Sequence, residues 1–509
     1  MELSQNSLPA NVKELQKTIL FQQEKIETLT QQYANLQHQV LNLIRGQYGR
    51  KSEKLSDEYF VGDLFSKEEL KSKEAADPKT EQISYTRKKD RNGHRNIPLD
   101  LPRVRIEYTL LESELDCPCG CGKKLHKIGE IITEQLEIVP SKIYVKQHVR
   151  FKYAGCVSED KVLTAPMPNQ PIDKGLAGPG LLADVIVNKY DDHLPLNRQS
   201  ERLSRSGIDI SRKTLCDWVM RCADLLDPIV EVMRKELLLF PKIHTDDTKV
   251  PIQAENKTRE GRLWIYLGCG SQAPPAAVYD YTPDRKQKWA LEFLQNYKGY
   301  LQADAYQGYD KLYESNEIIE VACMAHARRK FVEVEKNDTK HKQAISALNY
   351  IGKLYRIEKR IKDLEPIMKR AMRKKEAKPI LKEFKKWLLG KNQRVIPKSP
   401  LGKAVQYTLN NWIALTRYLA DGILDIDNNK AERLMRPIAV GRKNWTFAGS
   451  DRGGSAAAVM YSLIETCKLN NINPYDYLRD VLTRLPNTLN RDIRQLLPYE
   501  WKISNPEAV

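Results

Sequence analysis

The segment 243–325 restricts the fold more than any other part of the chain. Runs of apolar, β-branched and aromatic residues at 243–246, 263–269, 276–281, 299–304 and 318–322 read as strands. The stretch around Trp289, Leu291, Phe293 and Leu294 reads as a helix between the third and fourth of them. A sheet built this way needs helices to cover its faces, so an α/β unit is the expectation.

Two of those strands end on a carboxylate. Asp246 follows Ile243 within His244-Thr245-Asp246-Asp247-Thr248, and Asp304 closes Gly299-Tyr300-Leu301-Gln302-Ala303-Asp304. A third acid, Glu432, lies in a helix predicted to begin near Asp427, in Asp427-Asn428-Asn429-Lys430-Ala431-Glu432-Arg433. Carboxylates at the ends of adjacent strands converge on one edge of a sheet, and one from a flanking helix can close the set. Such acids repel one another and need divalent cations; hard oxygen ligands with open positions suit Mg²⁺ or Mn²⁺. Two ions held about 3.5–4 Å apart serve in-line displacement at a phosphodiester. A hairpin pair, a third strand, a helix and a fourth strand is also the order of a ribonuclease-H-like sheet. Asp247 is read as a neighbour of the first acid.

Charge points the same way. Lysine and arginine number 83 against 66 aspartates and glutamates, a formal net charge of +17. That excess favours a polyanionic partner, nucleic acid or an anionic membrane. No apolar run approaches the ~18–20 residues that span a bilayer, and the N-terminus has no signal-peptide core, so no membrane role is expected. Nine cysteines, three of them within 117–121, do not form a secreted disulfide framework and fit a reducing cytoplasm.

The remaining segments suggest separate modules. Val12, Leu15, Ile19, Ile26, Leu29, Tyr33, Leu36, Val40 and Leu43 recur at spacings of three and four, broken only at Gln22. This is a coiled-coil seam, and a homo-oligomer is expected through it. Residues 54–96 are dense in Lys, Glu, Asp and Ser, the composition of a flexible linker. Period-two patterns at 103–108 and 143–145 predict strands around Cys117-Pro118-Cys119-Gly120-Cys121-Gly122. From about 175 to 240 the pattern is helical, with Gly207 between two helices and Ser211 as N-cap of Arg212-Lys213-Thr214-Leu215. That spacing is consistent with a helix-turn-helix or with an ordinary helical hairpin. Residues 327–420 read as helical and basic, including 369–375.

At this point the chain resembles the transposases of the insertion-sequence 66 family, of the DDE class. The resemblance is carried by DNNKAERLMRPIAVGRKNWTFAGSDRGG at 427–454, YSLIETCKLNNINPYDYLRDVL at 461–482, HTDDT at 244–248, LQADAYQGYD at 301–310 and AHARRKF at 325–331. DDHLPLNRQ at 191–199 and SRKTLCDWV at 211–219 resemble its helix-turn-helix segment, and GRKSEKL at 49–55 its N-terminal signature.

The resemblance implies that Asp246, Asp304 and Glu432 are a metal-binding catalytic triad. It also implies a zinc module, although this chain departs from the usual paired cysteines. Cys117, Cys119 and Cys121 stand in the first half, but only Cys156 in the second; these four are the candidate Zn²⁺ ligands, with His126 or His148 as replacements for a missing thiolate. Arg433, Arg436, Arg442, Lys443 and Asn444 near the third acid, and Arg212 and Lys213 at the helix-turn-helix, are candidate DNA contacts or structural partners. Trp445 and Phe447 are candidates for base stacking or core, and His326, Arg328 and Arg329 for facing the site.

The expected fold class is therefore a multidomain α/β protein. A coiled coil (1–48), a basic flexible linker (49–96) and a β-rich zinc-finger-like module (97–170) come first. A helix-turn-helix region (171–238), a ribonuclease-H-like catalytic domain (239–450) with an α-helical insertion at about 337–420, and a C-terminal helical region (451–509) follow. The expected function is DNA transposition in a bacterial cytoplasm, at the nucleoid. The protein would bind the terminal inverted repeats of its mobile element, cleave there and transfer strands to target DNA, with accessory proteins of the same element as possible partners. A catalytically inactive DNA-binding protein and a hydrolytic nuclease or resolvase are the alternatives.

Overall fold

The computed structural model describes residues 22, 25, 143–154, 162–164, 167, 169–254, 257–270, 273–337 and 341–504. Gln22 and Lys25 are helical; the rest of the predicted coiled coil, the predicted linker, and Cys117, Cys119, Cys121, His126 and Cys156 lie outside the described residues. Residues 143–167 belong to one compact unit and those from Pro168 onward to another. In the first, β1 (Lys152–Ala154) pairs antiparallel with β2 (Val162–Thr164). The strand predicted at 143–145 does not form: those residues have no ladder partner among the described residues, and a strand without one leaves its backbone groups unpaired.

In the second unit, α1 (Pro179–Tyr190), α2 (Leu196–Arg205) and α3 (Arg212–Leu237) come first. Gly207, at φ 78°, makes the left-handed turn that ends α2. Ser211 caps α3 by accepting the Thr214 N–H at 3.1 Å. The 26 residues of α3 do two jobs. Its first turns belong to the three-helix group, while Leu226, Ile229, Val230, Met233 and Leu237 are buried in the core shared with the sheet.

That sheet contains β3 (Lys242–Gln253), β4 (Thr258–Gly268), β5 (Ala276–Thr282), β6 (Gly299–Ala303) and β7 (Ile318–Ala322), in the order β5-β4-β3-β6-β7. The first three strands are antiparallel, whereas β6 and β7 run parallel to β3. Helix α4 (Gln287–Phe293) makes the crossover between β5 and β6, and its Phe293 stacks on Tyr266 of β4 at 3.6 Å. Two expectations change here. Strand β3 does not stop at Asp246 but continues to Gln253, and β4 begins at Thr258 rather than at 263, because the two pair from Ile243–Gly268 to Gln253–Thr258.

After β7 the chain enters α5 (Met324–Asn337) and a helical excursion: α6 (Lys342–Arg360), α7 (Pro366–Met372), a π-helical turn at Arg373–Ala377, α8 (Lys378–Asn392) and α9 (Pro400–Asn410). Leu348, Ile351, Leu354, Leu381, Phe384 and Leu388 give these helices a core of their own with α5. The chain then returns through 421–428 to α10 (Asn429–Leu434) and α11 (Arg436–Trp445).

Helix α12 (Asp451–Leu469) closes the sheet at the edge strand β5. The hydroxyls of Ser462 and Thr466 accept the N–H groups of Tyr279 and Ala277 at 2.8 and 3.0 Å, groups that no further strand takes up. Helix α13 (Pro474–Arg484) packs behind α12, against α1.

Candidate active site

The register of β3 and β6 brings two of the acids together. Lys242, Ile243 and His244 pair with Tyr300, Leu301 and Gln302, and there the parallel ladder ends. Asp246 and Asp304 each stand two residues beyond the His244–Gln302 pair. By the period-two alternation of strands they share the face of His244 and Gln302. The cleft therefore opens at the carboxyl ends of two parallel strands, where they part, which is the usual place for ligands in sheets of this kind. Just past it, Ala305 turns the chain at φ 63°, and the Tyr407 hydroxyl of α9 donates to the Asp304 carbonyl oxygen at 3.2 Å.

Glu432 comes to the same place from α10. Burial first, then the charge of Asp304, and to a lesser degree that of Glu432, push the Asp246 carboxyl up to about 7. A backbone N–H from Asp247 at 2.9 Å partly opposes this. Three half-buried carboxylates thus come together, with Asp304 and Glu432 both within electrostatic reach of Asp246. Glu432 accepts from Arg329 at 3.2 Å through one oxygen; its other, Oε1, is buried without a hydrogen bond, with His326 Nδ1 3.5 Å away. Burial holds the His326 ring below its ordinary pKa, which leaves it neutral against the acids. An orphaned carboxylate oxygen beside an aspartate that resists ionising fits a hard divalent cation.

Asp247 faces the other way. Its side chain is 4% exposed, and both oxygens are taken by guanidiniums, Arg262 at 2.9 Å and Arg285 at 2.7 Å. Arg285 in turn lies over the Tyr306 ring at 3.8 Å. The second acid of the pair is a structural ion-pair partner on the opposite face.

What holds Glu432 in place was not visible in the sequence. The loop before α10 is laced to β3 and β6 by buried polar side chains. Gln302 donates to the carbonyls of Asp425 and Asp427 at 2.7 and 3.1 Å, and Asn428 Nδ2 donates to that of Thr245 at 2.8 Å. That bond fixes the Asn428 amide, so its Oδ1 faces His244 Nδ1 at 2.9 Å while His244 Nε2 faces Asp425 at 3.0 Å. Both ring nitrogens therefore meet acceptors, the pattern of an imidazolium. Burial opposes the charge, but the bonds to Asp425 and Cys269, together with the Cys269 charge, outweigh it and the His244 pKa is raised.

Asp425 also accepts from Lys242 at 2.6 Å and Lys430 at 2.9 Å. Burial resists its ionisation, yet these partners, His244 foremost, hold its carboxyl far below the usual range. His244, Cys269 and Asp425 could be read as a metal cluster by proximity. A cation there would meet two ammonium groups and an imidazolium, so the three form a structural network instead. Cys323, near His326 and Glu432, is likewise engaged, its sulfur accepting the Asn428 N–H at 3.1 Å.

Among the candidate DNA contacts, Arg212 and Lys213 are exposed at the start of α3, and Arg433, Arg436, Lys443 and Asn444 are exposed on α10 and α11. Arg442 instead docks α11 on β3, donating to Thr248 and to the Lys249 carbonyl at 3.0 and 2.8 Å. Trp445 is partly buried against the core, while Phe447 is 43% exposed.

Comparison with known families covers most of the chain. Residues 174–456, which include all three acids, match a family described as "Transposase IS66 family", and 462–499 match its "IS66 C-terminal element". Residues 114–155 match a "zinc-finger binding domain of transposase IS66", and 35–106 match "Transposase C of IS166 homeodomain". Relatives in Sinorhizobium fredii include the uncharacterized protein y4hP, 35% identical over 92% of this chain and 88% of its own length. The uncharacterized protein y4jD is 32% identical over 94% and 97% of the two chains.

Proposed function

Because the chain belongs to the insertion-sequence 66 family of transposases, we propose that it cuts and joins the DNA ends of its own mobile element with the carboxylates of Asp246, Asp304 and Glu432. The observation that carries this reading is the matched placement of Asp246 and Asp304 two residues beyond the last β3–β6 pair, with Glu432 in electrostatic reach. The sheet order, with an acid on its central strand, supports a ribonuclease-H-like catalytic domain at 239–450 with the helical insertion at about 337–420.

The three acids would hold divalent cations, Mg²⁺ or Mn²⁺. When bound, these supply charge neutralisation at a phosphodiester and activation of the attacking oxygen. The residues of the chain do the rest. The network of His244, Gln302, Asp425 and Asn428 sets α10 against the sheet, so Glu432 is in position before DNA arrives. Arg329 keeps Glu432 oriented through its bond to one carboxylate oxygen, and the neutral His326 receives another Arg329 N–H at 3.1 Å.

In cleavage, a water oxygen bonds to phosphorus and the P–O3′ bond breaks, freeing a 3′-hydroxyl at the element end. In strand transfer, that hydroxyl attacks a target phosphate, and the target's own P–O3′ bond breaks.

The three-helix group of α1–α3 is assigned to the terminal inverted repeats, with Arg212 and Lys213 at the groove. Because α3 runs from that group onto the sheet, end recognition and chemistry share one rigid element. The N-terminal seam at 1–48 would pair two element ends; deleting residues 1–45 without change in oligomer size or end pairing would refute this. Cys117, Cys119, Cys121 and Cys156 are proposed for Zn²⁺, and accessory proteins of the element as partners.

The test is incubation of purified protein with a labelled element-end duplex and Mg²⁺ or Mn²⁺. Joined products support transposition. Cleavage without joining would replace it with a nuclease, and end binding without chemistry with an inactive DNA-binding protein.

A further inference from the structure

Residues 342–416 contain 19 lysines and arginines against 5 aspartates and glutamates, a net +14 in a chain whose total is +17. These helices have their own apolar core, so the charge is not what holds them together. Two of the five acids are already engaged, Glu358 by the buried Arg373 and Glu376 by Arg360.

The surplus is concentrated along one stretch. Lys374, Lys375, Lys378, Lys382, Lys385 and Lys386 are all exposed, and none is in an ion pair among the described residues. Lys378, Lys382 and Lys385 fall at i, i+4 and i+7 of α8 and so lie on one face, continued upstream by Lys374 and Lys375. Glu383 is the one acid that α8 carries. Like charges at this spacing repel and weaken the helix, so the row is a cost to the fold unless a polyanion covers it.

The row is also held at a fixed offset from the acids. Arg373, 2% exposed, anchors the π-helical turn by donating to the carbonyls of Tyr418, Asp421 and Leu424 at 2.9–3.0 Å. Leu424 immediately precedes Asp425, which is tied to Lys242 and His244 of β3. One run of buried polar contacts thus joins the basic helix to the loop that positions Glu432.

From this we infer that the exposed lysine face of the π-helical turn and α8 is a second DNA-binding surface, which grips the phosphate backbone of duplex DNA without reading sequence while the acids act on another part of it. The inference rests on the proposed DNA chemistry for its biological setting, but its test does not.

Binding of full-length protein to a random-sequence duplex is measured by fluorescence anisotropy across a salt series. The comparison is wild type against the combined Lys378→Gln, Lys382→Gln, Lys385→Gln and Lys386→Gln variant, with the same four positions changed to Arg as control. Each lost phosphate contact flattens the slope of log K against log salt by about 0.9, so the Gln variant is expected to lose about 3–4 units of slope and more than tenfold in affinity. The Arg variant should keep both. An unchanged slope in a Gln variant with wild-type thermal midpoint overturns the surface. Strand transfer is assayed separately: if the slope falls but no joined product forms in the wild type, the surface stands and the proposed activity fails. Joined product with an unchanged slope means the reverse.

Discussion

The acid cleft and the helical insertion lie next to each other in the chain and carry opposite charge. They also use buried charge differently. In the cleft, an aspartate is kept from ionising by burial and by its neighbours, and the buried positive charge of Lys242 and His244, joined on Asp425 by the half-exposed Lys430, sits one layer away to hold the loop. In the insertion, the buried Arg373 paired with Glu358 sets the frame, and most of the lysines and arginines among the described residues are exposed. A cleft of carboxylates repels a phosphate backbone unless cations intervene. The basic helices supply the attraction that the cleft lacks, and the fixed loop between them carries the geometry from one to the other.

The comparison is broken most severely at its cleft side. Asp425→Ala leaves Lys242, only 3% exposed, and the His244 imidazolium without their anion. Removing one partner of a buried charge group costs about 3–5 kcal/mol, and misplacing Glu432 should lower strand transfer on the order of a hundredfold. Denaturant unfolding and a joining assay on the same preparation would show both losses. A stable, fully active variant would mean the network does not position the acid.

Arg373→Met attacks the other side. It leaves Glu358 and three carbonyls without their donor, for an expected loss of about 2–3 kcal/mol. Hydrogen exchange should show the loosening in the π-helical turn and α8 while β3 stays protected. Loss of protection in both regions at once would mean that they do not open as separate units.

Protons sharpen the contrast at intermediate size. The Asp246 carboxyl is raised to about 7 in the folded chain against an ordinary value near ~3.9. Without cations, folding stability should therefore be greatest below about pH 4 with respect to this group. It should fall as the pH climbs toward 7, where the native carboxyl at last ionises. A bound cation competes with that proton, so apparent metal affinity should rise about tenfold per pH unit up to pH 7 and then level off. Calorimetric titration with Mn²⁺ at pH 5.5, 6.5 and 8 measures it, and a flat profile would place the metal elsewhere. The smallest effect is expected at the joint between the regions. Tyr407→Phe removes one hydrogen bond to the Asp304 carbonyl and should cost about 0.5–1.5 kcal/mol in thermal unfolding.

Much of the sheet was legible because strand residues carry a local signal. The five runs were placed within one or two residues at most ends, from β-branched and aromatic content alone. The far end of β3 and the start of β4 were not, because Asp246-Asp247-Thr248-Lys249 looks like the close of a strand and Thr258-Arg259-Glu260-Gly261-Arg262 carries too many polar groups to read as one. Only the partner β4 shows that the backbone stays extended to Gln253. The three acids could be singled out because each follows an element boundary or sits in a distinctive helix. The residues that hold them could not. His244, Gln302 and Asn428 are of types usually found in water, and His244 meets Asn428 across 184 positions of chain. The alternation that turns Asp247 away from Asp246 was implicit in the strand pattern. Its two arginine partners were not.

The most direct test of the account is strand transfer by purified protein on labelled, pre-cleaved element ends with Mn²⁺, comparing wild type with Asp304→Asn and Glu432→Gln. The account predicts joined product from the wild type, none from either variant, and unchanged binding of the ends by all three. Joining that persists in Asp304→Asn would contradict it, because the chemistry would then not depend on the acids that β3, β6 and α10 bring together.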